Sequence, residues 1–149
     1  MSERKRILVL CTGNRCRSQM AEGWLRHFGG DWFDVRSAGT QPKGVHPLAI
    51  KVMREAGVDI GGQASEHVDK FRDQRFDVVV TVCDAAREAC PVFPNAGRTV
   101  HRSFDDPDKA TGSPEQVLDV FRRVRDEVRD WAKDFVAEVL KEPAAGERG

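Results

Sequence analysis

A thiol, an arginine and a hydroxyl lie close together near the start of the chain. The segment Cys11-Thr-Gly-Asn-Arg-Cys-Arg17-Ser18 directly follows the apolar run 7–10. A loop between a strand and a helix directs its backbone N–H groups at a common centre, and the helix adds the positive end of its dipole. That centre suits a tetrahedral oxyanion, which the planar guanidinium of Arg17 can hold through two oxygens. The same field favours a thiolate at Cys11, so the sequence predicts an oxyanion site with an attacking sulfur.

The cysteine–arginine spacing alone is weak evidence for an oxyanion site, because it arises easily by chance in an arginine-rich chain. The residues around it give stronger evidence. Gly13 and Asn14 both accept a positive φ, and Ser18 stands where a helix would start. The alternative is a buried cysteine at a strand end, followed by an ordinary polar turn. The expected oxyanion ligands are the loop residues Thr12, Gly13, Asn14, Arg15, Cys16, Arg17 and Ser18.

Length and composition favour a soluble globular protein. We expect one domain over residues 1–141 and a disordered tail at 142–149. Lys and Arg (24) balance Asp and Glu (24), so no net charge argues for a nucleic acid or an anionic membrane as partner. The run 7–10 is too short for a signal peptide, and no apolar run approaches membrane-spanning length. A cytoplasmic protein is predicted, and a monomer, since no second apolar surface is evident.

Apolar runs alternate with helical patterns along the chain. Strands are predicted at 7–10, 32–37, 76–82 and 98–102. Helices are predicted from the loop to about residue 28, at 46–56, at 84–89 and from 113 to about 140, with one short helix within 65–71. This order predicts a single-domain open parallel α/β sheet of about four strands with helices on both faces. Ligands bind such sheets beyond the carboxyl ends of the strands, so Cys11 and Cys83 are expected to converge.

Cys83 and Cys90 are the second informative pair. Cytosolic thiols are kept reduced, so the four cysteines at 11, 16, 83 and 90 point to catalytic, redox or metal roles. A continuous helix would hold the Cα atoms of Cys83 and Cys90 about 10.5 Å apart, beyond the reach of a disulfide. The segment is therefore a candidate redox switch, ordered when reduced and looped out when oxidised; two buried structural cysteines are the alternative. The spacing of this pair fits a zinc site poorly.

A carboxylic acid is required near the oxyanion, because a poor leaving group departs only when it is protonated. Asp106 follows the fourth predicted strand and precedes Pro107, which holds it extended at the same edge of the sheet. Asp106 is therefore the candidate acid. Asp105 is expected to be a turn or cap residue, and an Asx-turn is the alternative for both.

Taken together, these segments resemble the thioredoxin-coupled arsenate reductases, which share the fold of the low-molecular-weight protein tyrosine phosphatases. The resemblance covers about residues 6–140. It rests on Cys-Thr-Gly-Asn-Arg-Cys-Arg-Ser-Gln-Met-Ala-Glu-Gly-Trp at 11–24, Ser-Ala-Gly at 37–39, Val-Val-Thr-Val-Cys at 79–83, Cys-Pro at 90–91, Phe-Asp-Asp-Pro at 104–107 and Phe-Arg-Arg-Val-Arg-Asp-Glu at 121–127.

The resemblance implies a first step on arsenic. Cys11 would attack arsenate while Arg17 and the loop amides hold the oxyanion, with phosphate or sulfate as mimics. Ser18 would support the thiolate, Asn14 would shape the loop, and Asp106 would protonate the departing oxygen.

The resemblance also implies a disulfide relay that serves arsenic detoxification. Cys83 would attack the Cys11 sulfur, which releases arsenite and leaves a Cys11–Cys83 disulfide. Cys90 would then attack Cys83, and thioredoxin would reduce the resulting Cys83–Cys90 disulfide.

The chain departs from the family pattern at two places. Arg15 stands where relatives usually carry a small residue, so it either strengthens anion attraction or faces solvent. Some relatives hold a potassium ion through five positions, of which this chain keeps Asn14, Glu22 and Ser37 and replaces the others by Ala64 and Glu66. We therefore expect the full potassium site not to be intact, with a weak potassium site at Asn14, Glu22 and Ser37 left as the alternative, and no tightly bound cofactor. A packing role is expected for Cys16.

Two rival functions and one alternative electron donor remain open. A low-molecular-weight tyrosine phosphatase would use the same loop, but such enzymes usually carry aromatic residues after the acid; this chain reads Asp106-Pro-Asp-Lys109 and has no tyrosine. A non-catalytic oxyanion sensor would not need Asp106 or the paired thiols. Electrons could also come from a low-molecular-weight thiol, although the full cysteine set favours thioredoxin.

Overall fold

The computed structural model describes residues 4–84 and 90–141. Strands and helices alternate in the order β1 (Lys5–Cys11), α1 (Arg17–Gly29), β2 (Phe33–Gly39), α2 (Pro47–Glu55), β3 (Phe76–Thr81), β4 (Ala96–His101) and α3 (Pro114–Lys141). Short 3-10 helices lie at Gly30–Trp32, Val68–Phe71 and Pro107–Lys109. The predicted strands and the three long helices are confirmed, with ends shifted by one or two residues. Apart from Asp84, the helix predicted at 84–89 lies outside the described residues, as does the tail at 142–149.

The four strands form one parallel sheet in the order β2-β1-β3-β4. In this register Cys11 lies opposite Gly39 on β2, and Leu10 lies opposite Thr81 on β3. The central strands β1 and β3 are buried almost throughout, because both faces of a parallel sheet are covered. The edge strand β4 is largely exposed. The central position of β1 places the loop that follows it in the middle of the carboxyl edge.

Successive side chains of β1 enter two different buried clusters, since a strand alternates its faces. Ile7 and Val9 belong to the cluster that α1, α2 and α3 cover. Leu8 and Leu10 belong to a second cluster, which includes residues of the 3-10 helix Val68–Phe71. Helical segments thus lie on both faces of the sheet, as predicted, while the three α-helices share one face.

The 28-residue helix α3 begins with a reciprocal cap. Ser113 Oγ accepts a hydrogen bond from Gln116 N at 3.2 Å, and Gln116 Oε1 accepts one from Ser113 N at 2.8 Å, as in a capping box. Apolar residues at helical spacing form one face of α3. This face is buried, except that Val117 and Trp131 are only partly covered; its residues are Val117, Leu118, Phe121, Val124, Val128, Trp131, Phe135 and Val139. None of the helices within the described ranges combines the length and apolar character needed to cross a membrane.

Gly39 allows β2 to approach the loop after β1, which gives a prediction for stability. A Cβ atom at Gly39 would lie 2.4 Å from the carbonyl oxygen of Thr12 and 2.9 Å from that of Cys11. Because both contacts are to backbone, Gly39→Ala should lower the free energy of unfolding by about 1–3 kcal/mol in urea denaturation. Gly62→Ala is the matched control: a Cβ there meets nothing within 4 Å. Equal stability of the two variants would contradict this packing.

Candidate active site

The loop at the carboxyl end of β1 leads directly into α1. Cys11 is the last residue of β1, and Cys16 occupies the N-cap position of α1. No side chain of the described residues caps this helix, and its first turn holds no acidic residue. A terminus of this kind favours anions through its backbone N–H groups and dipole. Ser18, placed at the helix start by the sequence, is not the cap: it lies in the first turn.

A cavity of about 360 Å³ opens over this loop. It brings together Cys11, Arg17 and Asp106, as predicted from the sequence. Asn14 and Ser18, predicted as oxyanion ligands, are fully buried and do not line the cavity. Among the described residues, the lining consists of Cys11, Thr12, Gly13, Arg15, Cys16, Arg17, Lys43, Asp106, Asp108 and Lys109.

Sequence reasoning missed three of these lining residues. Asp108 and Lys109 lie in the 3-10 helix that Asp106 caps, so their closeness in the sequence to the candidate acid could have identified them. Lys43 lies in the segment before α2, where no residue pattern pointed to the loop.

The sulfur of Cys11 has two close polar neighbours. Ser18 Oγ lies 2.9 Å from Cys11 Sγ, and the backbone N–H of Asn14 donates to the same sulfur at 3.2 Å. Hydrogen bonds of this kind stabilise a sulfur that carries negative charge. Although Cys11 lines the cavity, the residue is buried, with a relative exposure of 2%.

The side-chain amide of Asn14 contacts two serine hydroxyls. Asn14 Nδ2 donates to Ser18 Oγ at 2.8 Å and to Ser37 Oγ at 2.9 Å. Because each hydroxyl oxygen accepts from Asn14, each hydroxyl proton is available for another neighbour. Ser37 donates to Glu22 Oε1 at 2.5 Å, and Ser18 Oγ shares a hydrogen bond with Cys11 Sγ in which either atom can be the donor.

Asn14 is itself held by several contacts. Its φ of 45° lies in the left-handed region, which asparagine tolerates better than most residues. Its Oδ1 accepts from Glu66 N at 2.8 Å, and its carbonyl oxygen accepts from Gln19 Nε2 and Ser65 Oγ at 3.0 and 2.8 Å. These contacts fix the amide orientation, because its oxygen can only face the N–H of Glu66.

Glu22 ends this chain of hydrogen bonds below the loop. Its buried carboxylate also pairs with Arg26, at 2.6 Å between Oε2 and Nη2. Burial raises the pKa of Glu22, while the hydrogen bond from Ser37 and the charge of Arg26 oppose that rise. The guanidinium of Arg26 thus supplies the positive charge that a buried carboxylate requires.

Asp106 makes the Asx-type contact that the sequence offered as one alternative, and its second carboxylate oxygen lies beside Arg17. Its Oδ1 accepts from Asp108 N at 3.0 Å and caps the 3-10 helix Pro107–Lys109. Its Oδ2 lies 3.5 Å from Nη2 of the buried Arg17. Asp105 instead forms an exposed ion pair with Arg123 at 3.1 Å. The geometry therefore separates the two aspartates and leaves Asp106 facing the cavity.

Arg15 lines the cavity beside the loop. Its Nε lies 3.2 Å from Asp108 Oδ2, so its charge is paired within the cavity wall. Its Nη1 also donates to the carbonyl oxygens of Lys43 and Gly44, each at 3.3 Å. The guanidinium thus joins the loop to the turn that carries the acid and to the segment before α2.

Two of the four cysteines form a disulfide. Cys83 and Cys90 are bonded, with their Cα atoms 5.9 Å apart, inside the disulfide range and well short of the 10.5 Å spacing in a helix. Residues 85–89 between them lie outside the described part of the chain. Cys83 is fully buried and Cys90 half-buried. Cys11 and Cys16 are free thiols.

Cys83 lies beside the loop, as the strand order predicted. Val82 N donates to Leu10 O at 2.9 Å, which aligns the residues that follow β1 and β3. Cys11 and Cys83 belong to the same buried cluster.

The thiol of Cys16 is also buried, and this burial is the largest of the causes that raise its pKa. A packing role for Cys16 stays our prediction.

Metal chemistry finds no support among the described residues. Within residues 4–84 and 90–141, no three histidine, cysteine or acidic side chains cluster so as to hold a metal ion. The fold and the cavity instead define a cysteine- and arginine-based oxyanion site with a neighbouring redox pair.

Comparison with known proteins places this site in a family. Residues 6–145 match the model of the low molecular weight phosphotyrosine protein phosphatase family, and the chain belongs to that family. It is 50% identical over 132 residues to an arsenate reductase of Halalkalibacterium halodurans, covering 89% of this chain and 95% of the relative.

Solved structures of similar proteins agree with this placement. An arsenate reductase in the phosphate binding state matches with a TM-score of 0.78 and 34% identity, over 91% of this chain and 98% of its own. An arsenate reductase in the oxidized state matches with a TM-score of 0.73 and 30% identity, over the same shares of the two chains.

Removing the hydroxyl of Ser18 tests its contact with the sulfur. A hydrogen bond to a charged group contributes about 1.5–3 kcal/mol, so Ser18→Ala should slow iodoacetamide alkylation of Cys11 at pH 7 about ten- to a hundredfold. Peptide mass spectrometry measures the rate at each cysteine, and Cys16 should stay unlabelled in both proteins. Ser103→Ala, which changes an exposed serine, is the control. Unchanged alkylation in Ser18→Ala would show that the hydroxyl does not support the thiolate.

Proposed function

We propose that this protein reduces arsenate to arsenite through Cys11 and a relay of protein thiols. The observation that carries the proposal is the Cys83–Cys90 disulfide beside a free Cys11 thiol. This is the arrangement of sulfurs that such a relay leaves at the end of one turnover. The similar proteins named arsenate reductase support the same substrate.

In the first step Cys11 forms a bond to arsenic. The thiolate attacks the tetrahedral oxyanion held by Arg17 and the loop N–H groups. One arsenate oxygen leaves as water, with its proton supplied by Asp106, and arsenic stays in its oxidised state. The position of Asp106, 3.5 Å from Arg17 at the cavity wall, suits an acid that meets the departing oxygen.

In the second step the arsenic takes up two electrons. The Cys83 thiolate attacks the Cys11 sulfur, the sulfur–arsenic bond breaks, and its electron pair stays on arsenic as arsenite leaves. Cys90 then attacks Cys83, which frees Cys11 as a thiolate and leaves the Cys83–Cys90 disulfide. The burial of Cys11 and Cys83 in one cluster supports their meeting.

An external dithiol must reduce this disulfide, and we propose thioredoxin. Cys83 is fully buried and Cys90 half-buried, so Cys90 is the sulfur that an incoming thiolate reaches first. Val92, two residues further on, is 78% exposed and offers an apolar contact beside that sulfur.

The phosphatase alternative shares the first half of this machinery. Cys11, Arg17 and Asp106 suffice for attack on a phosphate ester, so a weak phosphatase side activity is expected. The cavity, however, is lined by polar, charged and small residues, and no aromatic side chain is among the described lining residues. An inorganic oxyanion therefore fits this cavity better than an aryl phosphate.

Potassium has no part in this proposal. At the matching positions, Glu22 already pairs with the guanidinium of Arg26 at 2.6 Å, and Asn14 Oδ1 accepts from Glu66 N. We infer from these contacts, and from Ala64 and Glu66 at the other two positions, that the full potassium site is not intact. A cytoplasmic monomer remains our expectation.

Replacement of each redox cysteine tests the relay. In a coupled assay of NADPH oxidation with arsenate, thioredoxin and thioredoxin reductase, the wild-type protein should turn over only when arsenate and thioredoxin are both present. Cys11→Ser, Cys83→Ser and Cys90→Ser should each abolish multiple turnover. Only Cys11→Ser should also abolish slow hydrolysis of an aryl phosphate. Normal turnover by Cys90→Ser would overturn the relay, and brisk aryl phosphate hydrolysis without NADPH oxidation would favour the phosphatase.

The isosteric change Asp106→Asn tests the acid. Asparagine keeps the oxygen that caps the 3-10 helix but has no proton of suitable acidity to give. We expect arsenate-dependent turnover to fall about 10²–10⁴-fold, while reduction of the Cys83–Cys90 disulfide by thioredoxin is unchanged. Asp105→Asn, one residue away in an exposed ion pair, is the control. Equal losses in the two variants would contradict the assignment.

A further inference from the structure

The carboxylate of Asp108 joins three separate segments around the cavity. Its Oδ2 lies 3.2 Å from Arg15 Nε on the oxyanion loop, and its Oδ1 lies 3.3 Å from His46 Nε2. His46 is the N-cap residue of α2. The backbone N–H of Asp108 donates to Asp106 Oδ1 at 3.0 Å. One residue therefore contacts the loop, the start of α2 and the candidate acid.

The tautomer of His46 is fixed by its two contacts. Nδ1 accepts a hydrogen bond from Leu48 N at 3.0 Å, so in the neutral ring the proton sits on Nε2 and points at Asp108. Burial, followed by the charge of Arg15, lowers the pKa of His46, although Asp108 and Asp106 oppose that shift. The ring also packs on Phe121, with centroids 4.8 Å apart. The imidazole is thus a rigid neutral donor.

The loop side of this arrangement is equally well held. Three backbone hydrogen bonds tie the segment before α2 to the loop: Gln41 N to Thr12 O at 2.9 Å, Lys43 N to Gly13 O at 3.0 Å and His46 N to Arg15 O at 3.1 Å. In the 3-10 helix Pro107–Lys109, Lys109 N donates to Asp106 O and Ala110 N donates to Pro107 O. Arg15 and His46, the two donors to Asp108, are therefore held by the loop and by the segment before α2. Through Asp108 they restrain the 3-10 helix Pro107–Lys109.

We propose that Asp108 is a positioning residue for the acid: through Arg15 and His46 it holds the turn that carries Asp106 closed over the oxyanion loop. The inference rests on the proposed role of Asp106. It also gives Arg15 a function in the cavity wall, because its guanidinium pairs with Asp108. Loss of Asp108 should affect the protonation step and spare oxyanion binding.

A double-mutant cycle tests this role. Asp108→Ala should lower kcat for arsenate reduction about tenfold, with KM unchanged or lower, since the freed Arg15 adds positive charge at the cavity. In the Asp106→Asn background the same change should cost less than twofold, because no acid is left to position. A tenfold loss in both backgrounds, or a rise in KM, would mark a merely structural residue and overturn the proposal.

Two further measurements keep the test independent of the proposed reaction. Hydrogen exchange of the amides of Lys109 and Ala110 should speed up in Asp108→Ala and stay unchanged in Asp105→Ala. Unchanged exchange in Asp108→Ala would overturn the clamp whatever the activity. If the wild-type protein hydrolyses aryl phosphates but does not reduce arsenate, the proposed function fails; the same cycle on that hydrolysis then decides the role of Asp108, because Asp106 is the acid in both reactions.

Discussion

The carboxamide of Asn14 is the contact on which the rest of the site depends. An amide group has distinct donor and acceptor ends, and here both ends are specified: the oxygen faces the N–H of Glu66, so the nitrogen must face Ser18 and Ser37. Ser37 donates to the carboxylate of Glu22, and Ser18 Oγ shares a hydrogen bond with the sulfur of Cys11. A neutral side chain thus links a buried carboxylate to the proposed attacking sulfur through two hydroxyl groups. The left-handed backbone of Asn14 is maintained because every polar group of this residue has a partner.

The sheet places two chemistries at one edge. The loop after β1 holds the oxyanion site, and the chain after β3 holds Cys83, with Val82 N bound to Leu10 O between them. Arg17 and Asp106 belong to the chemistry of oxyanion substitution, which the family shares with phosphatases. The Cys83–Cys90 disulfide belongs to thiol–disulfide exchange, which phosphate ester hydrolysis does not use. In the proposed reaction the sulfur of Cys11 takes part in oxyanion substitution and in thiol–disulfide exchange. The residues of the loop and the Cys83–Cys90 pair therefore need to meet only at that sulfur.

The sequence predicted the elements and three of the side chains that the cavity brings together, because both leave local patterns. Continuous apolar runs predicted β1 and β3, and the helical period of apolar residues predicted α3. Cys11, Arg17 and Asp106 were predicted because their chemistry requires those residue types after strands. The contacts of Asn14 with Ser37 and Glu66, and of Asp108 with Arg15 and His46, were not predicted. They join polar residues that lie far apart in the chain, and no periodicity or spacing reports such pairs.

A single turnover without an external reductant tests the proposed relay most directly. Fully reduced protein would be mixed with one equivalent of arsenate, alkylated, and analysed by peptide mass spectrometry together with the amount of arsenite released. The account predicts one arsenite for each protein molecule, a Cys83–Cys90 disulfide, and alkylated Cys11. Arsenite release with Cys83 and Cys90 both alkylated, or with Cys11 still in the final disulfide, would contradict it.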